Sequence, residues 1–394
     1  MLTPPDQSPT VFGALRLLGG WAGYQIEHAF VAALEAIQQL FNRLDPRVYS
    51  EARRIRSIQE GGDDKGGGGK FFVLVIYCTD RLPAFTRTLI DAVARSPFNL
   101  VIVSNAQLTN GLAEELRGKS RLLVERNNIG RDFGGYKDGI AIVLRGFDVE
   151  RLVIANDSVF YLSEGLDELL ARLDGSHDLI GVSEVYDHHY HVASFLMSFG
   201  RRVVESAAFR DFWRRYKPID SRRWAIFRGE GDLSAQLLRG GFRPHILYRA
   251  VHLRPYLANL ANDDAVMPLL PLQVRTWLAG SGEARSTTLL HKIGIALKWF
   301  RGAPRAKPTG ADLVIDEVMG RNQMHAAGLM FRKFMGLPLI KRDLYYRGVY
   351  SLDDLAAMVA DQPPDFREEI MADLRRRGNS ERLGPFGRLL HRHA

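Results

Sequence analysis

The stretch Asn128-Ile129-Gly130-Arg131-Asp132-Phe133-Gly134-Gly135-Tyr136-Lys137 sets two cations and a carboxylate among glycines, between the apolar runs Leu122-Leu123-Val124 and Ile140-Ala141-Ile142-Val143-Leu144. A polar turn between two buried elements is where an α/β protein usually holds a ligand, because backbone and charged groups converge beyond the strand end. There the Arg131 guanidinium could grip phosphate oxygens in a bidentate fork and the Lys137 ammonium could act as a point charge. Asp132 could orient Arg131 or bind a sugar or ribose hydroxyl; an internal Arg131–Asp132 pair that merely pins the turn fits the same residues. Similar groups follow three other apolar runs: Tyr77-Cys78-Thr79-Asp80, Ser104-Asn105 and Asn156-Asp157-Ser158. Each alone could be turn chemistry. Together they describe one polar rim.

The elements that must carry this rim alternate along the chain. Strand-like runs at 71–77, 99–104, 121–125 and 151–155 are separated by helical patterns at 82–95, 111–116 and through Leu144. Near-continuous Val, Ile and Leu strands separated by helices predict a mainly parallel, Rossmann-like α/β sheet covered by helices on both faces. Domain organisation follows: an N-terminal amphipathic helical segment over 1–60, a Gly-rich linker over 61–70, the α/β domain over 71–260, and a mainly helical C-terminal extension over 261–394. In the first segment Ile26, Phe30, Leu34, Ile37, Phe41 and Leu44 recur at helical spacing, while Arg16, Glu27, His28 and Glu35 argue against a membrane span. That stripe could pack on protein or on a membrane surface. The Gly-Lys pair closing the linker is no phosphate loop, since Phe71 stands where Ser or Thr is required and the loop precedes a strand.

With 394 residues, a net charge of +8 and a pI near 9.6, the chain is an ordinary globular composition suited to an anionic partner. No secretory signal is read at the N-terminus, and the single Cys78 excludes an intramolecular disulfide. Both point to a cytoplasmic setting. Charge is the only feature favouring nucleic acid, because no basic patch is interleaved with aromatics, so no nucleic-acid partner is expected.

Asn128-x-Gly130-Arg131-Asp132 followed by Asn156-Asp157-Ser158 at a strand end resembles the rhamnan synthesis F family, GT-A-like glycosyltransferases of bacterial surface polysaccharides. The stretch His189 to Phe199, the segment Gly229-Glu230-Gly231-Asp232-Leu233-Ser234, and Asn322-x-x-His325 followed by Leu337-Pro338-Leu339-Ile340-Lys341-Arg342-Asp343 extend the resemblance over roughly 70 to 355. It implies a GT-A-like fold, a nucleotide-sugar donor, a glycan or lipid-linked acceptor, and contact with the inner-membrane surface. The family name implies deoxythymidine diphosphate rhamnose as donor.

On that resemblance Tyr77, Thr79, Asp80, Asn105, Asn128, Gly130, Arg131, Asp132, Lys137, Asn156, Asp157 and Ser158 are expected to bind the donor. Glu230, with Asp232 behind it, is the expected base of an inverting transfer, although acidic residues opening a helix also cap it. His189, His191 and Ser194 are expected at the acceptor. The strand-end acidic motif of GT-A enzymes usually holds a divalent metal, but here only Asp157 supplies a carboxylate. Mg2+ or Mn2+ on Asp157, with waters and donor phosphates, is one expectation; a metal-independent site built on Arg131 and Lys137 is the other. Asp187, His189 and His191 share a strand face that could bind metal, yet a polar wall of a sugar pocket explains them more economically. The incomplete metal motif also allows a noncatalytic glycan- or nucleotide-sugar-binding scaffold.

Overall fold

The computed structural model describes residues 33, 36–65, 68–186, 189–258, 266–272, 274–275, 314–315, 318–319 and 321–380. Its strands are β1 (Ile55–Glu60), β2 (Lys70–Ile76), β3 (Asn99–Ser104), β4 (Leu122–Arg126), β5 (Arg151–Asn156), β6 (Val159–Tyr161), β7 (Leu179–Gly181), β8 (Glu184–Val185), β9 (His191–Val192), β10 (Leu196–Gly200), β11 (His245–Ile246) and β12 (Leu339–Lys341). The helices that bear on the site are α1 (Ala84–Arg95), α2 (Arg131–Gly146), α3 (Ala207–Arg215), α4 (Asp232–Arg239), α5 (Leu352–Met358) and α6 (Pro364–Arg377).

Eight strands form one sheet in the order β1-β4-β3-β2-β5-β10-β7-β11. The central strands β4, β3, β2 and β5 are mutually parallel, whereas β10 runs antiparallel to both β5 and β7. This is the mainly parallel α/β architecture expected from the sequence. Every residue of β2 after Lys70 is buried, with Phe72, Leu74 and Ile76 facing one core and Phe71, Val73 and Val75 the other. That period-two division of an apolar run is what coverage on both faces demands. Chain order reverses between β2 and β5, so the crevice beyond their carboxyl ends is the natural ligand site of such a sheet.

Helix α2 lies close on this sheet. A Cβ on Gly135 or Gly139 would come within 2.7 Å of Val75 or Val73, respectively. The glycines of the opening motif therefore set the distance between helix and sheet. At the helix start Gly130 has φ +76° and Arg131, a non-glycine residue, φ +53°. Such a left-handed non-glycine residue is a strained conformation that the surrounding packing must enforce.

Two expectations about organisation are corrected. Residues 55–60 are not helical but form β1, antiparallel to β4; their sparse apolar residues hide the pattern of an edge strand. The glycine segment is a docked connection at its described ends: Gly61, Gly62 and Asp63 donate their N–H groups to the carbonyls of Arg121, Arg117 and Ser120. The segment 375–377 is the last turn of α6, where Arg376 and Arg377 pair with Asp373. Beyond residue 320 the chain also supplies β12, which pairs antiparallel with β6, and its Leu337, Leu339, Tyr350 and Leu355 join the same core as Phe85 and Phe160.

Of the N-terminal stripe, Ile26, Phe30 and Leu34 lie outside the described residues. In the helix over 36–42 and the turn after it, Ile37, Leu40, Phe41 and Leu44 are 52 to 74% exposed. The polar side docks instead, with Gln39 Nε2 donating to Ser221 Oγ and Asn42 Nδ2 to the Asp220 carbonyl. No helix among the described residues is long and apolar enough to cross a membrane.

Candidate functional site at the carboxyl ends of the parallel strands

Beyond β2 and β5 the rim residues converge. Asp157 Oδ2 accepts the Tyr77 N–H at 3.1 Å, tying the two strand ends across the switch point. Asn156 Nδ2 donates to Asp132 Oδ2 at 2.8 Å, and Asn156 Oδ1 accepts the Ser158 N–H at 3.1 Å. Asp132, at the start of α2, is thereby fixed beside the fourth parallel strand. Burial, reinforced by the nearby Asp157 carboxylate, pushes the Asp132 carboxyl up to about 6. Burial raises Asp157 too, against the pull of Arg342. Both carboxylates are crowded by protein yet keep some solvent-accessible surface, as groups on the floor of a cleft do.

Glu230 forms the facing wall. Its Oε1 accepts the Ser194 N–H at 3.1 Å and the Ser194 hydroxyl at 2.6 Å, and its Oε2 lies 3.5 Å from His191 Nε2. Burial alone would raise this carboxyl, but the His191 and Ser194 contacts outweigh it and the net shift is downward. Glu230 is thus held as an anion at neutral pH. Its helix does not begin there: Ser221 caps the start at Arg222, and the π-helical stretch Ala225–Gly231 runs unbroken into α4. Capping accordingly does not explain Glu230, and π-helical insertions of this sort occur often at functional sites. The flanking glycines have a steric reason. A Cβ on Gly229 would lie 2.8 Å from the Phe133 ring, and one on Gly231 would lie 2.0 Å from His189 Nε2.

The C-terminal region contributes directly to the cleft. The β12–β6 register sets Lys341 opposite Val159, and Lys341 Nζ donates to Ser158 Oγ at 3.2 Å and sits 4.6 Å from the Phe195 ring centre. Burial lowers its pKa, while Asp343, Glu230 and Asp132 act in the opposite sense. Arg342 turns the other way, donating to the Asp157 carbonyl at 2.6 Å and to Asp373 at 2.8 Å. Beside them His325 Nε2 lies 2.9 Å from Asp343, whose carboxyl burial would raise but which His325 and Lys341 hold far below its usual range. Sequence reasoning misses Lys341 as a site residue, although the stretch 337–343 belongs to the family resemblance. The pairing that delivers it spans 183 residues, and nothing local encodes it.

Several expected donor residues are engaged elsewhere. The Lys137 ammonium donates to the carbonyls of Trp213 and Arg214 at the end of α3, so its expected place on a diphosphate is corrected to a cap on that helix. Asn105 is buried behind the rim: its amide donates to the Arg131 carbonyl at 3.3 Å and its Oδ1 accepts from Arg126. It props the opening loop. Arg131 Nε lies 3.5 Å from Asp220, and the Arg131 charge also acts on the Asp132 carboxyl. Asp232 is drawn to Arg228 at 3.2 Å, away from Glu230. Tyr77, Thr79, Asp80 and Asn128 are exposed along the rim, and Gly130 packs against Pro218.

Of the expected acceptor residues, His191 and Ser194 hold Glu230, while the His189 ring lies tilted against those of His191 and Phe227. Asp187 and His188 lie outside the described residues. Among the described residues no three of His, Cys, Asp or Glu converge as a metal cluster. Trp213 and Tyr216 belong to the core, where they pack with Phe133, Phe209 and Phe212. A separate cavity of about 320 Å³ lies by Phe147 and Val204, at the opposite end of the sheet.

Residues 100–263 match the family model "Rhamnan synthesis protein F", which bears out the resemblance read from the motifs. An uncharacterised protein of Sinorhizobium fredii, y4gN, is 32% identical over 155 residues, covering 38% of this chain. The chain spans about 40% of the length of that relative. Among solved structures, the glycosyltransferase GlyE of Streptococcus pneumoniae is 12% identical, with a TM-score of 0.29 over 51% of this chain and 53% of its own. TarS of Staphylococcus aureus is 11% identical, with a TM-score of 0.27 over 79% and 91%.

Proposed function

We propose that the cleft transfers a sugar from a nucleoside diphosphate sugar to a hydroxyl of a bacterial surface polysaccharide or its lipid-linked precursor, by a single inverting displacement. The observation that carries this reading is Glu230: an anion anchored by Ser194 and His191, facing the recessed Asp132 at the sheet's switch point, within the segment that matches rhamnan synthesis protein F. The family name favours rhamnose as the transferred sugar.

In the proposed step the acceptor oxygen forms a bond to the sugar's anomeric carbon while the bond from that carbon to the β-phosphate oxygen breaks. The electron pair leaves with the diphosphate, and the acceptor proton passes to Glu230. Ser194 and His191 keep the carboxylate aligned and unprotonated, which general-base work near neutral pH requires. Asp132 and Asp157, the two closely placed carboxylates of the rim, suit the hard-oxygen preference of Mg2+ or Mn2+, and a cation held there would offset charge on the diphosphate. Asn156 fixes Asp132 in either case.

The test is a panel of nucleotide sugars incubated with the protein and a lipid extract, with and without chelator. Glu230→Gln should lower turnover about 10²- to 10⁴-fold, the usual weight of a general base, while leaving donor affinity within about twofold, a margin small beside the tenfold that 1.4 kcal/mol represents. Donor binding by the wild type without any turnover across the panel would replace catalysis with the scaffold reading.

A further inference from the structure

We propose that Lys341 is the diphosphate-binding cation of the cleft, a role that rests on the transferase reading above. Of the two cations expected for it, Lys137 is committed to the carbonyls ending α3, and Arg131 lies 3.5 Å from Asp220. Arg342 is held by Asp373 and the Asp157 carbonyl. Lys341 differs from all three. Its ammonium has three donors and makes one hydrogen bond, to the neutral Ser158 hydroxyl, among the described residues.

Its position suits the leaving group. The register opposite Val159 puts the ammonium beside Ser158, directly after the strand-end residues Asn156 and Asp157, and the Phe195 ring beneath it supports a cation. The charges of Asp132 and Glu230 act on it, so the ammonium is within electrostatic reach of both the proposed base and the rim expected to hold the donor. It is surrounded by protein but retains access to solvent. A diphosphate brought into a cleft already holding Asp132, Asp157 and Glu230 meets strong like-charge repulsion, and a recessed ammonium with unused donors offsets it where water screens least. The charge on the breaking bond grows toward the transition state. Lys341 would therefore assist departure as well as binding.

The experiment is calorimetric titration of UDP, dTDP, GDP and CDP, each beside its parent nucleoside, into wild type, Lys341→Met and Lys341→Arg, with melting curves for all three. In the wild type at least one diphosphate should bind at least tenfold more tightly than its nucleoside. Lys341→Met should lose most of that difference while leaving nucleoside affinity within twofold, and Lys341→Arg should retain part of it. Undiminished diphosphate affinity in Lys341→Met, or equal weakening of nucleoside and diphosphate, would overturn the assignment and leave the transferase reading intact. Should Lys341→Met fail to fold, Lys341→Arg decides by itself: a diphosphate preference reduced but present supports the role, and an unchanged or abolished one opposes it. Wild type binding none of the diphosphates would instead sink the transferase reading on which the proposal rests.

Discussion

At the residue scale the cleft concentrates groups held against their own stability. Asp132 illustrates the sign. Its carboxyl is raised to about 6 by burial and by Asp157, so the native state binds its proton more readily than the unfolded chain does. Stability then rises as pH falls from about 6 toward 4, and above pH 6 the full penalty is present. Asp132→Asn can still accept the hydrogen bond from Asn156. It should stabilise the fold by about 1–2 kcal/mol at pH 7.5, the penalty of the raised carboxyl discounted for partial exposure, while donor turnover drops. Melting curves at pH 5 and pH 7.5 check this: the gain should shrink at the lower pH. Turnover of the wild type should fall below pH 6 as Asp132 protonates. A destabilised Asp132→Asn with normal turnover would make this carboxylate structural.

The sequence disclosed these residues unevenly. Asp132, Asn156 and Asp157 were legible, because polar groups at the ends of apolar runs stand out, whereas Glu230 was reached only through the family resemblance. The partners of Lys137 and Asp232 were not. Whether a charged side chain turns toward a cleft or toward a neighbouring helix depends on rotamers and on packing far away in sequence. Lys137 meets carbonyls 76 and 77 residues downstream.

At the element scale the unusual backbone is steric in origin. Gly231 lets the π-helical stretch pass the His189 ring, and the same stretch presents Glu230 to Ser194. Gly231→Ala should displace the ring or the helix and lower kcat at least tenfold, with a melting temperature within a few degrees of wild type; overpacking of this size typically costs about 1–3 kcal/mol. Unaltered kcat would show that this approach does not position Glu230. Helix α2 carries a different constraint. Its Asp138 is fully buried between Arg54 at 2.6 Å and Arg126 at 2.8 Å. Asp138→Asn would strand two buried guanidinium groups and should destabilise by about 3–5 kcal/mol, readable in urea unfolding. The capping box at Ser351 and Asp354, which opens α5, is by contrast a local device, since both of its partners lie within one turn.

At the scale of the whole molecule, the parallel core was legible from its continuous apolar strands, while the extent of the folded unit was not. The region after 260, expected as an extension, returns through β12 to complete the cleft, and its Met330, Phe331 and Leu339 belong to the main core. β12 is short and its pairing is long-range, so no local pattern separates it from a loop. A fragment ending at 263, where the family match stops, should therefore lack a cooperative melting transition, since β6 loses its partner and Phe160 its cover. A sharp transition in that fragment would show that the C-terminal region is dispensable.

The central claim is a donor site at the switch point between β2 and β5. Amide hydrogen exchange of the full chain, with and without the nucleotide sugar that binds best, tests it most directly. Protection is predicted at Tyr77–Asp80, Asn128–Asp132 and Asn156–Ser158. Protection confined to other surfaces, with these three segments unchanged, would contradict the account.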